Sequence, residues 1–293
     1  MSNETRLFRP INYMKPTSVV EATKLLGEYA EKARLIAGGT DILVERDPGI
    51  QVLIDATGLG LEYIKSDDKE ITIGAATTFN EIEKSPILAK SPYGILVEAA
   101  KQIGTPQIRN VATIGGNICS AVPSADSVPP LLALDATVLI SGYEYRRSMN
   151  IADFFLNVRR NALKKGEMLI EIRIPVFSSR TEAVFVKRGR IAGADLAIVN
   201  AAVRITVGSD GIIQDPRIAL GAVAPTPMRA EIAESMLRGL KPQGKLLKIV
   251  ADQASQEIKP ISDVRGSAEY RKLLSRVLVE RALNELTSKF YGP

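Results

Sequence analysis

The segment Leu35-Ile36-Ala37-Gly38-Gly39-Thr40-Asp41-Ile42 places a glycine pair behind a short apolar run and ahead of small polar side chains. The segment Thr113-Ile114-Gly115-Gly116-Asn117 repeats this pattern later in the chain. Glycine permits positive φ and lets another group approach main-chain N–H donors without a Cβ atom in the way. Successive N–H groups in such a turn can form a concave site for phosphate oxygens. The two segments therefore predict either a divided phosphate site or two plain tight turns, which glycine pairs also commonly mark.

The glycine spacing differs from that of the common nucleotide-binding loops. Neither pair has the G-x-G-x-x-G form, and Gly58-Leu59-Gly60 lacks the third glycine. No G-x-x-x-x-G-K-[ST] run is present either. The spacing therefore argues against a Rossmann dinucleotide site and against a P-loop.

Two scarce residue types limit the chemistry. The chain has no histidine, and its one cysteine is Cys119. This excludes Ser-His-Asp and Cys-His nucleophile systems, histidine-based zinc sites and a disulfide within the chain. It also excludes an iron–sulfur cluster held wholly by this chain, because such clusters usually need about four cysteines. Redox chemistry here would need a bound organic cofactor, and Cys119 is interpreted as a packing residue rather than a redox thiol.

Size and charge narrow the class of protein. A chain of 293 residues is too long for one small core and predicts two domains. The net charge is +5, but the basic residues are scattered rather than gathered in a stripe, so we expect no nucleic-acid partner. No apolar run approaches the roughly 20 residues that cross a bilayer, and no signal-peptide core follows the first residues. These features predict a cytoplasmic protein without a membrane span.

Periodicity and capping signals predict alternating helices and strands in the first part of the chain. Capping-box spacing at Ser18 with Glu21, and at Thr78 with Glu81, predicts two helix starts. The predicted elements that follow from the apolar patterns are strands at 34–37, 52–55, 71–73, 136–140 and 169–176, and helices at 95–103 and 127–134.

The same patterns predict two domains. The first covers residues 1–176, with subdomains of about 1–57 and 58–176. A linker follows at 177–181, and the second domain, a small sheet with helices, covers 182–293.

Three patterns predict which faces of the elements are buried. In the strand at 169–176, the even-numbered residues from Ile170 to Val176 share one face. Alternation over 201–207 predicts a half-buried strand, with a hairpin turn at Asp210-Gly211. The apolar stripe of the last helix is predicted to consist of Leu273, Leu274, Val277, Leu278 and Leu286.

The two glycine segments, in this order and with their flanks, resemble the FAD-binding medium subunit of the molybdenum hydroxylases. That family includes carbon monoxide dehydrogenase, xanthine dehydrogenase, nicotinate dehydrogenase and aldehyde oxidoreductases. The resemblance spans nearly the whole chain. The flanking segments that carry it are Gly104-Thr105-Pro106-Gln107-Ile108-Arg109-Asn110, Pro123-Ser124-Ala125-Asp126, Leu131-Leu132-Ala133-Leu134-Asp135-Ala136, Lys187-Arg188-Gly189-Arg190 and Gly221-Ala222-Val223-Ala224-Pro225-Thr226-Pro227.

The resemblance implies an α+β fold: a two-part FAD-binding domain of the vanillyl-alcohol-oxidase (PCMH) type, then a small C-terminal domain of the carbon monoxide dehydrogenase flavoprotein type. It implies one FAD whose pyrophosphate lies on the two glycine segments, and no catalytic residue or metal ligand in this chain. Leu196 falls near the position that covers the flavin ring in relatives. The residues that match FAD contacts of the family are Leu35 to Ile42, Ile103, Thr113 to Asn117, Asp126, Leu169 and Lys187.

Three of these residues also have plain structural interpretations. Asp126 is placed to cap the helix that follows it. Leu169 is by type a core residue, and a lone lysine such as Lys187 is usually solvated.

The resemblance also implies a division of labour among subunits. Substrate is oxidised at a molybdenum cofactor on a large subunit, and electrons pass through two [2Fe–2S] clusters on a small subunit to the FAD. The three chains would form a heterotrimer or its dimer. Two other functions stay open: a self-contained FAD-dependent oxidase or reductase of the same fold, which would need its own acid or base near the flavin, and an assembly subunit without cofactor. The intact glycine pairs argue against the last.

Overall fold

The architecture comes from a computed structural model that describes residues 10, 12–177, 180–191, 193–241 and 244–291. Of the predicted linker at 177–181, Ser178 and Ser179 lie outside the described residues. Sheets of three, five and four strands follow one another along the chain, and helices pack on each of them.

The first sheet is parallel. Its elements, with their helices, are β1 (Asn12–Met14), α1 (Val19–Tyr29), β2 (Ala33–Ile36), α2 (Ile42–Glu45) and β3 (Val52–Asp55). β3 lies between β1 and β2 and runs parallel to both. The Ser18 side chain accepts the Glu21 N–H, but the Glu21 carboxylate accepts from Thr17, so only half of the predicted capping box forms. Because the strands are parallel, the segments that follow β2 and β3 leave the same edge of the sheet.

The second sheet is antiparallel, with the order β4-β5-β10-β6-β7. Its strands and the adjoining two-stranded ribbon β8–β9 are β4 (Ile64–Ser66), β5 (Glu70–Gly74), β6 (Thr137–Ser141), β7 (Arg146–Asn150), β8 (Phe155–Asn157), β9 (Arg160–Asn161) and β10 (Met168–Pro175). Its helices are α3 (Phe79–Lys84), α4 (Gly94–Lys101), α5 (Pro106–Arg109), α6 (Ile114–Cys119) and α7 (Val128–Ala133). The capping box of Thr78 and Glu81 at the start of α3 is complete.

A β-bulge in β10 changes which of its side chains share a face. The pairing register with β6 shifts between Leu169 and Glu171. Leu169, Ile172 and Ile174 join the large core beneath the helices, whereas Ile170 packs with side chains of α1 and β3. The predicted face is therefore wrong for Ile170, because a bulge inserts one residue into a strand and breaks the alternation.

The third sheet is antiparallel, with strands in the order β11-β12-β13-β14. Its elements are β11 (Thr181–Arg188), β12 (Val199–Val207), β13 (Ile213–Gly221), β14 (Met228–Arg229), α8 (Glu231–Leu237), α9 (Gly244–Glu257) and α10 (Ala268–Tyr291). The predicted hairpin turn joins β12 to β13, and Gly211 in it has a φ of +77°. The helices cover one face of this sheet and enclose a second large core.

The buried stripe of α10 differs from the predicted one. Leu278 and Leu286 are buried as predicted, but Leu273 is exposed. The stripe also includes polar side chains, because Arg271 donates to the carbonyl oxygens of Ile198 and Ala222. A pattern search for apolar residues does not find a buried arginine.

β12 is buried on both faces, so the prediction of a half-buried strand is wrong. Ala202 and Arg204 lie on the face assigned to solvent, and both are fully buried against the first part of the chain. Arg204 Nε donates to the carbonyl oxygen of Ala133 at 2.6 Å, and its Nη2 donates to Asp135 at 2.6 Å and to Asp215 at 2.8 Å. The alternation is real, but α7 covers the polar face.

Replacing Glu167 with glutamine is expected to cost about 2 kcal/mol of unfolding free energy at neutral pH. Burial would raise the pKa of Glu167, but hydrogen bonds from Arg147, the Lys164 N–H and Tyr145 outweigh it and lower the pKa to about 2. A carboxyl with a lowered folded-state pKa stabilises the fold above its unfolded pKa of about 4.3, and this contribution is lost as the pH falls towards 2. Urea unfolding at several pH values should show the gap from wild type closing below about pH 5.

The control is Glu98→Gln, which removes an exposed ion pair to Lys101 and should change stability by less than about 1 kcal/mol. If the free energy of unfolding of the Glu167 variant stays below that of the wild type by the same amount at every acidic pH, the destabilisation does not come from the lost carboxylate charge.

Candidate cofactor-binding site

The first glycine segment leaves β2 and enters the short helix α2. Gly39 has a φ of +69°, which favours glycine. The side chains of Leu35, Ile36 and Ile42 pack into the core, so the segment presents its main chain. Within the described part of the chain, no acceptor lies in hydrogen-bond range of the N–H groups of residues 38–41. Successive free donors of this kind can form an anion-binding nest.

Gly38 and Asp41 join the first segment to the second. A Cβ atom on Gly38 would overlap the carbonyl oxygen of Val111. Only glycine therefore allows these two backbone segments to approach so closely. Asp41 accepts a hydrogen bond from the hydroxyl of Ser120, just beyond α6. The structure therefore brings the two glycine segments side by side.

The second glycine segment is the first turn of α6 rather than a loop. The first three N–H groups of α6, those of residues 114–116, donate in order to the carbonyl oxygen of Thr77, the carbonyl oxygen of Ala75 and the hydroxyl of Thr113. A Cβ atom on Gly115 would lie 2.5 Å from the oxygen of Ala75, so this glycine permits a close approach of two backbones. Gly116 is exposed, and a Cβ atom there would meet only the Thr113 hydroxyl, at 3.0 Å. The second pair thus contributes an open face and not free main-chain donors.

Two polar side chains beside the glycine pairs keep free donors. Asn117 Oδ1 accepts from the Ser127 hydroxyl at 2.7 Å, and its Nδ2 has no partner among the residues described. The hydroxyl of Thr40 likewise makes no hydrogen bond to the described chain. Thr113, by contrast, is buried as the N-cap of α6. Thr40 and Asn117 therefore add donors beside the N–H groups of residues 38–41.

Asp126, Lys187 and Asn200 form a charge cluster between the second and third sheets. Lys187 Nζ donates to Asp126 Oδ2 at 2.6 Å, and Asn200 Nδ2 donates to Asp126 Oδ1 at 2.7 Å. Lys187 Nζ also donates to the carbonyl oxygen of Gln102 at 2.9 Å. The side chains of Asp126 and Lys187 are only 7% and 5% exposed, so Lys187 is not a solvated lysine. Asp126 does not cap α7, because Ser127 is the N-cap residue.

The charge cluster contains one unsatisfied polar atom. Burial raises the pKa of Asp126, while Lys187 and Asn200 oppose that rise. Asn200 Oδ1 is buried and has no hydrogen-bond partner among the described residues. A buried acceptor is normally satisfied, so this oxygen indicates a place for a donor from a bound molecule or water.

The three remaining residues from the sequence prediction differ in their surroundings. Ile103 is partly buried beside Gln102, at the end of α4. Leu169 is buried in the large core of β10, on which α6 packs. Leu196 is exposed.

A cavity of about 580 Å³ opens beside the charge cluster. It lies between the turn after α4 and the segment after β11. Most of the charged side chains that line it are cationic, which favours an anionic ligand. Its charged and polar lining includes Lys101, Gln102, Arg109, Lys187, Arg188 and Asp195.

The residues present fit an FAD. The free N–H groups of 38–41, with Thr40 and Asn117, supply the uncharged donors that a pyrophosphate needs. Gly116 leaves the approach open. Lys187 of the charge cluster also lines the cavity. In the described ranges, no group of three or more acid or cysteine side chains is arranged to hold a metal ion.

Sequence reasoning missed Ser120, Gln102 and Asn200. Ser120 holds Asp41, Gln102 holds Lys187 through its main chain, and Asn200 orients Asp126. None of them stands in a motif. Lys187 and Asn200 lie opposite each other on β11 and β12, and this pairing brings Asn200 to the ion pair of Lys187 and Asp126.

Two family models together match most of the chain. The model described as the FAD binding domain in molybdopterin dehydrogenase matches residues 8–177. The model described as the CO dehydrogenase flavoprotein C-terminal domain matches residues 185–286.

Two relatives and one solved structure match over nearly their full length. The carbon monoxide dehydrogenase medium chain of Hydrogenophaga pseudoflava is 36% identical over 277 residues, which is 93% of this chain and 95% of that one. The glyceraldehyde dehydrogenase medium chain of Sulfolobus acidocaldarius is 34% identical over 279 residues, 94% of this chain and 98% of that one. A solved chain of carbon monoxide dehydrogenase from Hydrogenophaga pseudoflava superposes with a TM-score of 0.91 at 35% identity, covering 96% of this chain and 99% of that one.

The fold and the site define an FAD-binding flavoprotein component of an oxidoreductase. The chain belongs to the family of FAD-binding medium subunits of the molybdenum hydroxylases, which confirms the resemblance and the α+β fold expected from the sequence. In the portion described, no helix combines the length and apolar character needed to cross a bilayer.

Proposed function

We propose that this chain is the electron-exit subunit of a molybdenum-containing hydroxylase or dehydrogenase. It binds one FAD, receives electrons from [2Fe–2S] clusters on a small partner subunit and delivers them to an external acceptor. The molybdenum cofactor, and with it substrate oxidation, lies on a large subunit, and the three chains form a heterotrimer or its dimer. The observation that supports this best is the row of free N–H donors at residues 38–41, in a chain whose relatives are medium chains of such enzymes.

Each part of the site would bind a different part of the FAD. Residues 35–42 and 113–117 hold the pyrophosphate, with the N–H groups of 38–41 as donors and Gly116 as the open face. Asp126 and Lys187 hold the polar portion of the cofactor, and Ile103 and Leu169 complete the contacts. When bound, FAD supplies the ability to take electrons singly and release them in pairs. We further propose domain limits of 1–176 and 182–293.

The first experiment is a visible absorption spectrum of the chain purified alone, followed by identification of any cofactor released by heat. Flavin bands with released FAD support the site. Co-purification with a [2Fe–2S] chain and a molybdenum chain then supports the subunit role. A colourless protein that takes up no added FAD would refute the cofactor assignment. An FAD-loaded chain that oxidises or reduces a substrate by itself would favour the self-contained flavoenzyme instead.

A further inference from the structure

We infer that Asn200 is a positioning residue for the bound cofactor. It fixes the ion pair of Asp126 and Lys187 in the arrangement that leaves one N–H of Lys187 for the ligand. The inference rests on the proposed function, in which Asp126 and Lys187 hold the polar portion of FAD. It adds a role for Asn200, which acts through these two side chains, and for the glycine opposite it, Gly221.

The ammonium group of Lys187 has one donor left over. An ammonium carries three N–H donors. Lys187 uses two of them, on Asp126 Oδ2 at 2.6 Å and on the main-chain oxygen of Gln102 at 2.9 Å. No third acceptor lies within hydrogen-bond range among the residues described. Because Lys187 also lines the cavity of about 580 Å³, the remaining N–H is the donor that a ligand there can use.

Asn200 completes the hydrogen bonding of the Asp126 carboxylate. Its Nδ2 donates to Oδ1 at 2.7 Å, while Lys187 occupies Oδ2. Lys187 and Asn200 are paired on β11 and β12, so their side chains leave the sheet on the same face and reach Asp126 together. Asn200 is fully buried, so water does not compete for this bond. Each carboxylate oxygen has its own donor, and rotation of the carboxylate would break both bonds.

Gly221 on β13 provides the space that the Asn200 side chain needs. It lies opposite Asn200 in the pairing of β12 with β13. A Cβ atom on Gly221 would overlap the side-chain oxygen of Asn200 and would lie 3.0 Å from Cγ of Pro129 in α7. The φ of Gly221 is not positive, so its backbone conformation does not require glycine. The occupied space requires it, and a larger residue would displace the Asn200 amide.

Loss of the Asn200 amide should loosen Lys187 as well as Asp126. Burial raises the pKa of Asp126, and Lys187 and Asn200 are the groups that oppose this rise. Without Asn200, the carboxylate is held from one side only. The remaining N–H of Lys187 then has no fixed position relative to the cavity. Any effect of Asn200 on the cofactor should therefore pass through Lys187.

The test is a double-mutant cycle on the full-length chain, from which FAD is removed and then titrated back. Asn200→Ala should lower the affinity for FAD, measured by flavin fluorescence, by about tenfold, as expected for one hydrogen bond to a charged group. In a chain that already carries Lys187→Met, the same substitution should change the affinity by less than about twofold, because its route through Lys187 is gone.

The midpoint potential of the bound flavin is a second readout, which a purely structural role of Asn200 would not link to Lys187. The ammonium of Lys187 favours the added negative charge of the reduced cofactor. Asn200→Ala and Lys187→Met should therefore both lower the potential, and the double variant should match Lys187→Met alone. Gly221→Ala should reproduce Asn200→Ala in affinity and potential. Wild-type values in Gly221→Ala would contradict the role assigned to Gly221.

Two matched controls are Asn284→Ala, at an exposed asparagine of α10, and Gly244→Ala, where a Cβ atom would meet no heavy atom within 4 Å. Both should keep the wild-type affinity and potential. Wild-type values in Asn200→Ala would overturn the inference, as would an effect of equal size with and without Lys187→Met. A wild-type chain that takes up no FAD would instead refute the proposed cofactor site, and the inference with it.

Discussion

Gly116→Val is expected to abolish FAD retention while leaving the helix content nearly unchanged. Gly116 is exposed in the first turn of α6, and the space beyond it is open apart from the Thr113 hydroxyl. A branched side chain would fill the face that the glycine leaves open, close to the free donors of residues 38–41. Valine costs little more than other ordinary residues in a helix, so α6 itself should persist. Flavin absorbance of the purified variant and far-ultraviolet circular dichroism measure the two effects separately.

Gly244→Val is the matched control for this variant. Gly244 is also an exposed glycine in the first turn of a helix, α9, and no heavy atom lies within 4 Å of the position of its Cβ. The control should retain FAD in full. If Gly116→Val is still yellow and FAD-loaded, the second glycine segment does not form part of the cofactor site.

Asp135→Asn is expected to lower the free energy of unfolding by about 3 kcal/mol. Asp135 accepts from Arg204 Nη2 at 2.6 Å and from Arg217 Nε at 2.8 Å, and Arg229 Nη1 lies 3.7 Å away. Arg204 is fully buried, so removing one of its anions leaves a desolvated charge with Asp215 as its remaining carboxylate. Burial already lowers the pKa of Arg204, against the opposing effect of both carboxylates. The cost arises mainly because the buried guanidinium keeps one carboxylate partner instead of two.

Asparagine isolates the charge effect from backbone strain. Asp135 has a φ of +48°, a conformation that asparagine adopts at least as readily as aspartate. Thermal unfolding should show a midpoint about 6–12 °C below the wild type. Asp252→Asn, which removes a partly exposed partner of Arg276, serves as the control and should shift the midpoint by no more than about 3 °C. An equally small shift in the Asp135 variant would mean that solvent screens the network more than its burial indicates.

Elements with a strong local signal were predicted well. β3 occupies the predicted residues, α7 and β5 differ from prediction by about one residue at each end, and the box at Thr78 and Glu81 forms in full. These features depend on neighbours in sequence: apolar periodicity, a capping side chain, or a glycine in a turn. The half-formed box at Ser18 shows the limit, because Thr17 competes for the Glu21 carboxylate.

Features that depend on distant contacts were not predictable. The bulge at Leu169 and Glu171 moves Ile170 to another core, and no residue in β10 signals it. The polar face of β12 has the pattern of a solvent-facing surface, and its burial follows only from the position of α7. Alternation of apolar and polar residues shows that a strand has two different faces. It does not show which element covers either face.

The amino-acid sequence by itself determined the family, the cofactor class and the two glycine segments, because these depend on residue types in order along the chain. It also excluded metal sites that need histidine or several cysteines. Only the tertiary structure decided how the segments differ: residues 38–41 keep free donors, whereas the N–H groups at the start of α6 are bonded to Thr77, Ala75 and Thr113. It alone paired Lys187 with Asp126. The physical reason is that hydrogen-bond satisfaction and burial are set by residues far apart in the chain, which local patterns do not encode.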